Sequence, residues 1–209
     1  MNSAEKIVVI ATGNAHKVEE FNRLAADAGL KDLRFISAKE CVPGGMPKVV
    51  EDAGTFEGNA RLKALALRKI VPEDYFVMAD DSGLCVDFLD NAPGVETAYY
   101  AGPDATHAEN RAKLLEALKG VPAEKRGAYF YCLLLLISPE NREIIFDGSC
   151  HGFISENERD SGFGFGYDPV FVPAGYDKTF AELSGDIKDS LSHRGKAFAE
   201  LTAYFRKRS

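Results

Sequence analysis

Two long strand-like segments, 128–137 and 143–154, follow one another in the chain and are separated by the polar residues 139–142. Two such runs around a short polar turn predict an antiparallel hairpin. Amphipathic helices are interleaved with the other predicted strands. This combination predicts an α/β architecture with a mixed sheet.

Shorter strands and helices alternate through the rest of the chain. Short apolar or β-branched runs predict strands, and apolar residues at helical spacing predict helices. The predicted strands are 6–11, 33–37, 75–79 and 170–172, and the predicted helices are 16–28, 56–70, 106–118 and a last helix that begins at Ser192. The stretch 43–47, rich in proline and glycine, is predicted to be irregular. Since no repeat or linker separates these elements, residues 1–209 are predicted to form one domain of two fused lobes.

The charge of the chain restricts its partners. The formal net charge is -7, and nonspecific binding to nucleic acid depends on surplus lysine and arginine. A nucleic-acid partner is therefore not expected. An anionic substrate would need a local exception, such as a cleft with a few lysines and a divalent cation.

The cysteines and the apolar runs indicate a cytoplasmic protein. Cys41, Cys85, Cys132 and Cys150 form no C-x-x-C pair and are predicted to be buried thiols in a reducing compartment. The longest apolar run, 129–137, is far shorter than the roughly 20 residues of a membrane helix. The first residues lack the basic and apolar regions of a signal peptide. We expect a cytoplasmic location and no membrane partner.

A lysine occupies an unusual place in the helix predicted at 16–28. Lys17 lies in its first turn, where the helix dipole favours an acid. With the preceding turn Thr12-Gly13-Asn14, it could form a phosphate cradle from turn amides and a helix start. The alternative is an ordinary surface lysine, because the chain has no Walker loop.

Two consecutive acids follow the predicted strand 75–79. Asp80 and Asp81 precede Ser82 and Gly83, at a sheet edge where α/β proteins commonly bind ligands. Magnesium prefers carboxylate oxygens. Both acids can serve one site only if the chain leaves strand geometry there, as Ser82 and Gly83 allow. The alternative is an acidic turn.

The helix predicted at 56–70 carries a polar face. Asn59 and Lys63 are four residues apart and therefore share that face. Glu51 and Asp52 precede the helix and, taken alone, are better explained as partners of its dipole.

Two segments near the C-terminus could recognise a base. Phe165 and Tyr167 are interleaved with glycines and could offer an aromatic face. They could equally be core aromatics in a tight turn. Ser192 can cap the last helix, but His193 and Arg194 then bring two cations to its positive end, where an anion or a keto oxygen would fit.

Taken in order, these motifs resemble the inosine triphosphate pyrophosphatase family, whose members hydrolyse inosine and xanthosine triphosphates and their deoxy forms. The match spans nearly the whole chain. Its motifs are Ala11-Thr12-Gly13-Asn14 with Lys17; Glu51, Thr55-Phe56, Asn59-Ala60 and Lys63; Asp80-Asp81-Ser82-Gly83-Leu84; Pro93-Gly94-Val95; Tyr100-Ala101-Gly102; Phe165-Gly166-Tyr167-Asp168-Pro169; and Ser192-His193-Arg194-Gly195.

The resemblance implies an elongated mixed β-sheet flanked by helices, with two lobes around a central nucleotide cleft. It also implies a homodimer, a magnesium cofactor and a small-molecule nucleotide substrate. One position departs from the family, because Tyr99 stands where bacterial members usually have arginine.

The resemblance also implies a role for each motif. The family reaction splits a non-standard purine triphosphate (ITP, dITP or XTP) into the nucleoside monophosphate and pyrophosphate. Asp81 would orient or deprotonate the attacking water, and Lys17 and Lys63 would stabilise the phosphates. The implied metal ligands are Glu51, Asp80 and Asp81. The implied substrate-binding residues are Thr12, Gly13, Asn14, Lys17, Ser82, Phe165 as the stacking ring, Gly166, Tyr167, Asp168, and the base-reading donors Lys188, His193 and Arg194.

Three other functions remain open at this point. One is a related pyrophosphatase for modified pyrimidine or thymidine nucleotides. Another is a nucleotide sensor without catalysis, which would not need Glu51, Asp80 and Asp81 together. A serine hydrolase that uses Ser82 is disfavoured, because no G-x-S-x-G motif surrounds that residue.

Overall fold

The computed structural model describes residues 5–13, 15–159 and 165–208. The strands are β1 (Lys6–Ile10), β2 (Leu33–Ser37), β3 (Phe76–Val86), β4 (Gly127–Ile137), β5 (Glu143–Ile154) and β6 (Phe171–Pro173). The helices are α1 (Ala15–Asp27), α2 (Ala38–Cys41), α3 (Phe56–Arg68), α4 (His107–Ala117), α5 (Gly185–Leu191) and α6 (His193–Arg206).

The six strands form one sheet in the order β2-β1-β3-β4-β5-β6. Strand β1 is parallel to both β2 and β3, whereas β5 is antiparallel to β6. A tight turn that includes a bond from Ser138 N–H to Arg142 O joins β4 to β5, as expected for a hairpin. The predicted α/β fold with a mixed sheet is therefore confirmed.

Strand β3 is longer than predicted. The prediction ended it at residue 79, but the strand continues to Val86. Leu84, Cys85 and Val86 are buried, so burial extends the strand beyond Ser82 and Gly83. Asp80 and Asp81 consequently lie inside a strand, and the expected departure from strand geometry at that point is wrong.

Two short helices, α2 and α5, were not predicted. They have 4 and 7 residues, too few to show an apolar stripe at helical spacing. At the start of α2, Ser37 N–H donates to Glu40 Oε1 at 2.7 Å, which is half of a capping box.

The packing of the backbone divides the chain into two compact units. The first comprises Met1–Asp81, Cys132–Asp147 and Ala197–Ser209, and the second comprises Ser82–Tyr131 and Gly148–Lys196. That residues 1–209 act as one domain stays a prediction.

The core of the first unit is aromatic. Phe21 of α1 lies 5.6 Å from Phe35 and 5.8 Å from Phe198 of α6, measured between ring centroids. Val8 and Met78, from β1 and β3, belong to the same cluster. Burying one such side chain contributes about 1.5–3 kcal/mol. This cluster attaches α1 to the sheet and so determines where Lys17 can reach.

The second unit contains a buried arginine whose hydrogen bonds go to backbone carbonyls. Arg126 is 4% exposed, and burial lowers the pKa of its guanidinium. It donates to three backbone carbonyls at 2.7–2.8 Å, those of Leu118, Ile154 and Ser155. Because a buried charge is tolerated only when its donors are satisfied, these bonds tie the end of α4 to the end of β5.

The pairing of β5 with β6 leaves no room for a side chain at Gly152. A Cβ atom on Gly152 would overlap the backbone oxygen of Val172 and lie 2.8 Å from the Phe171 ring. We expect Gly152→Ala to lower the free energy of unfolding by about 2 kcal/mol or more, because backbone has to move. Denaturant unfolding measures the loss. Gly185→Ala is the control, since a Cβ there meets nothing within 4 Å; an equal loss in both variants would contradict the steric explanation.

The cysteines agree with the prediction of buried thiols at three of four positions. All four are free, with Cys85, Cys132 and Cys150 buried and Cys41 partly exposed. Within the described residues, the helices are too short or too polar to cross a bilayer.

Candidate active site

The predicted phosphate and metal residues of the first unit form two groups around Asp80 and Asp81. In the first group, Lys17 Nζ lies 3.0 Å from Asp80 Oδ1. The Asp80 side chain is only 1% exposed, whereas that of Lys17 is 27% exposed. Lys17 is thus held by an acid from the sheet, in the first turn of α1 where no acidic residue is present.

The second group is centred on Lys63 of α3. Its Nζ donates to Asp81 Oδ1 at 2.6 Å, to Glu51 Oε2 at 2.8 Å and to the backbone oxygen of Asp80 at 3.1 Å. Lys63 and Asp81 are each 12% exposed, and Glu51 is 41% exposed. Three acceptors therefore surround one ammonium group that is largely shielded from water.

The two groups lie on opposite faces of β3, since successive strand residues point to opposite sides. Phe76 and Met78 pack in the core cluster that includes residues of α1, and Asp80 continues this face towards Lys17. Asp81 lies on the other face, towards Lys63. The two aspartates therefore have different partners.

Burial raises the pKa of Asp81 to about 6, although the nearby Lys63 opposes the shift, and the carboxylates of Glu51 and Asp80 add to it. The pKa of Lys63 is also raised: burial alone would lower it, but Asp81 and Glu51 more than offset that effect. Both pKa values can be raised at once because the neighbours differ. Lys63 has two acids beside it, which favour its charged form, whereas Asp81 has one cation that favours its charged form and two acids that oppose it. A carboxylate that titrates near neutral pH is suited to accept a proton during catalysis.

The segment that carries Glu51 is held by the polar face of α3. Asn59, which is 2% exposed, accepts a hydrogen bond from Ala53 N–H at 3.1 Å. Thr55 caps the helix by accepting from Gly58 N–H at 3.0 Å. The sequence placed Asn59 and Lys63 on one face without a role for Asn59; the structure shows that it anchors the segment next to Glu51.

The predicted phosphate cradle is described only in part. Thr12 and Gly13 lie between β1 and α1, and a Cβ at Gly13 would meet nothing within 4 Å. Asn14 lies outside the described residues. The role of this turn stays a prediction, as does that of Ser82, which lies within β3 next to Asp81.

The donor set around Lys63 suits a hard cation. In the chain as far as the structure describes it, no three or more His, Cys, Asp or Glu side chains are grouped as a ready metal site. However, Glu51 and Asp81 both point at one position that already holds a positive charge, the ammonium of Lys63. Carboxylate oxygens are the ligands that magnesium prefers, so these residues fit the ion.

The two aromatic residues of the second unit that could stack on a base differ in their exposure to solvent. Phe165 is 65% exposed, whereas Tyr167 is 5% exposed and its hydroxyl donates to Thr97 O at 3.0 Å. Gly166 between them has φ 59°, a left-handed conformation that suits glycine. Tyr167 therefore belongs to the core, and only Phe165 offers a free aromatic face. The contact of Tyr167 with the substrate stays a prediction.

Asp168 and Lys188 are partners of each other. Asp168 is 6% exposed, and its Oδ2 accepts from Lys188 Nζ at 2.5 Å and from Phe165 N–H at 2.9 Å. Both bonds hold the turn that presents Phe165. The structure thus gives Asp168 a supporting place, and the donation of Lys188 to a base stays a prediction.

The start of α6 agrees with the predicted cap. Ser192 Oγ accepts from Gly195 N–H at 2.9 Å. The ring of His193 stacks on Phe130 at 5.0 Å and 14°, so its orientation is defined by the core. His193 and Arg194 are both partly exposed and occupy the first turn of α6.

Comparison with known protein families identifies the family of this chain. The model of the Ham1 family matches residues 8–204, which is most of the chain. The chain belongs to the Ham1 family. This match, together with relatives named dITP/XTP pyrophosphatase, confirms the resemblance to the pyrophosphatase family that the sequence motifs carried.

Members of the Ham1 family resemble the chain over nearly its full length. A dITP/XTP pyrophosphatase of Opitutus terrae is 51% identical over 95% of this chain and 98% of its own. A dITP/XTP pyrophosphatase of Leuconostoc mesenteroides is 44% identical over 93% of this chain and 94% of its own. The solved Ham1 protein of Staphylococcus aureus is 35% identical and has a TM-score of 0.85, with 98% of this chain and 100% of the other covered.

Proposed function

We propose that this Ham1 family member hydrolyses non-standard purine nucleoside triphosphates (ITP, dITP and XTP) to the nucleoside monophosphate and pyrophosphate. The observation that carries the proposal is Asp81, largely shielded from water and with a pKa of about 6, next to the ammonium of Lys63. The relatives named as dITP/XTP pyrophosphatases support the choice of substrate.

In the proposed reaction, a water oxygen attacks the α-phosphorus and the bond from that phosphorus to the bridging oxygen breaks. The water proton passes to the Asp81 carboxylate, and pyrophosphate leaves with the bond electrons. Protein catalysis of such transfers depends mainly on positioning and charge neutralisation. Lys17 and Lys63 supply positive charge, and their ion pairs with Asp80 and Asp81 define their positions before substrate arrives.

The proposed cofactor is magnesium, which Glu51 and Asp81 would hold directly and Asp80 through water. When bound, the ion would neutralise phosphate charge and lower the pKa of a bound water. The Asp80 carboxylate already accepts from Lys17 and lies on the other face of β3 from Asp81, so we expect its contribution to be weaker than that of Glu51 and Asp81.

We assign recognition of the purine base to residues of the second unit. Phe165 would stack on the purine, while Lys188, His193 and Arg194 would donate to its 6-keto oxygen. Adenine carries an amino group there, so donors would face donors and stay unpaired, which discriminates strongly against it. We further propose a homodimer, as the family resemblance implies, and a cytoplasmic location, as the cysteines and the apolar runs of the sequence indicate.

Phosphorus NMR of the products tests this function. The chain is incubated with inosine, xanthosine, guanosine, adenosine and thymidine triphosphates, each with magnesium and with EDTA. We expect pyrophosphate from the inosine and xanthosine substrates with magnesium only. Release of orthophosphate would contradict the bond assignment, preference for the thymidine substrate would favour the pyrimidine alternative, and intact triphosphate throughout would favour a sensor.

A further inference from the structure

Helix α4 holds the backbone next to the exposed Phe165. Arg111 Nη1 donates to Gly166 O at 2.8 Å, and Arg111 Nε lies 3.0 Å from Glu158 Oε2. The Arg111 side chain is only 14% exposed. One guanidinium therefore contacts two separate stretches of chain, the one that ends β5 and the one that carries Phe165.

A second residue of α4 supports the same place. His107 precedes Arg111 by one helical turn, so both side chains lie on one face of the helix. The centroid of the His107 ring is 4.5 Å from that of Phe165, with an interplanar angle of 68°. This edge-to-face contact leaves most of the Phe165 ring exposed to solvent, consistent with its 65% exposure.

An exposed ring cannot be held by core packing, so other contacts have to hold its backbone. Asp168 holds Phe165 through its N–H, and Arg111 holds the carbonyl of the next residue, Gly166. Gly166 has φ 59°, and glycine loses more conformational freedom on folding than other residues. Without the bond from Arg111, the Gly166 carbonyl would lose this partner, and the direction of the Phe165 ring would be defined less tightly, by Asp168 alone among these contacts.

We propose that Arg111 is a positioning residue for the base: it fixes the Phe165-Gly166 backbone so that the Phe165 ring is presented for stacking on a purine. Glu158 orients Arg111, and His107 limits the rotation of the ring. This inference rests on the proposed function, in which Phe165 binds the base. It assigns Arg111 no contact with the reacting phosphates.

A single tryptophan at position 165 can report the stacking of the base. The chain contains no tryptophan, so Phe165→Trp introduces one fluorophore at the stacking position. The probe is a non-hydrolysable inosine triphosphate analogue with magnesium, and its stacking is expected to quench the emission. Adding Arg111→Ala to this variant should raise the Kd by about tenfold, as expected for loss of a charge-assisted hydrogen bond.

Kinetics separate a positioning role from a structural one. In the chain with Phe165 intact, Arg111→Ala should raise KM for ITP about tenfold and change kcat less than about twofold. Arg111→Lys retains the charge but not the fork of donors, and should give an intermediate KM. In the Phe165→Ala background, Arg111→Ala should have no further effect on KM, because the residues act through one another.

The controls distinguish failure of this inference from failure of the proposed function. Lys119→Ala removes an exposed cation just after α4 whose partner is Glu116, and it should leave Kd and KM unchanged. If Arg111→Ala does not fold, Arg111→Lys and Glu158→Gln replace it in the test, and each should also raise Kd and KM. Unchanged Kd in the Arg111 variants, with normal quenching in the Phe165→Trp parent, would overturn this inference alone. Absence of quenching in that parent would overturn the base assignment and this inference together.

Discussion

Asp81→Asn is expected to lower kcat by a factor of about 100 or more, while the nucleotide still binds, because asparagine cannot accept the proton of the attacking water. Asparagine has nearly the same shape as aspartate, so the strand and the contact with Lys63 should be retained. Steady-state kinetics with ITP and a binding titration measure the two effects. Turnover within a few-fold of the parent would remove Asp81 from the role of general base.

The pH dependence of kcat/KM provides an independent check on Asp81. The pKa of about 6 means that the carboxylate loses its charge as the pH falls through this value. Since only the charged form accepts a proton, kcat/KM should fall about tenfold per pH unit below pH 6. This acid limb should be absent from the residual activity of Asp81→Asn; if the limb persists there, it belongs to another group.

The same substitution should increase stability, which separates a catalytic effect from unfolding. The folded pKa lies above the ordinary value of 3.8, so the folded protein binds more protons than the unfolded chain between about pH 4 and 6. Stability contributed by this group is therefore present below pH 4 and lost as the pH rises through 6. Removing the charge should raise the free energy of unfolding by about 1–3 kcal/mol at pH 7, and by little at pH 4.

Lys63→Met should have the second largest effect, a loss of about 100-fold or more in kcat/KM, because one preorganised positive charge near the phosphates is removed. Lys63 also opposes the rise in the pKa of Asp81. Its removal should therefore raise the pKa of Asp81 further, and the acid limb of the pH profile should move upward from pH 6. Measuring kcat/KM from pH 5 to pH 9 tests both parts.

The stability of Lys63→Met should change in the opposite direction to that of Asp81→Asn. Asp81 and Glu51 would be left close together without their shared cation, which should lower the free energy of unfolding by about 1–2 kcal/mol, less than for a fully buried pair because Glu51 is 41% exposed. The cost should decrease towards pH 5, where Asp81 takes up a proton. Lys69→Met is the matched control, because Lys69 is exposed at the end of α3. A similar loss of activity in both variants would contradict the specific role of Lys63.

Local patterns predicted most of the fold. Strands β2 and β5 have the predicted bounds, and α4 lies within the helix predicted at 106–118. The predictions failed where tertiary burial outweighs local signals. Ser82 and Gly83 signal a turn, but the buried residues that follow them extend β3 to Val86.

The candidate site was predicted as a set of residues, while its pairing was not. Lys17 and Lys63 were chosen for their places on helices, but pattern alone does not show that each binds a different aspartate. Tyr167 illustrates the same limit, because an aromatic residue between glycines can face the core or the solvent. No local sequence pattern predicts the contacts of Arg111, because they join α4 to residues far along the chain.

The alternation of side chains along β3 restricts how this part of the gene can change. A gain or loss of a single codon between Met78 and Asp80 would shift the parity of the strand and move each acid to the opposite side. Asp80 would then face α3 and Asp81 would face α1, so the present pairing of Lys17 with Asp80 and of Lys63 with Asp81 would be lost. Descendants of this sequence can exchange core residues of similar volume here, but we expect the spacing itself to be retained.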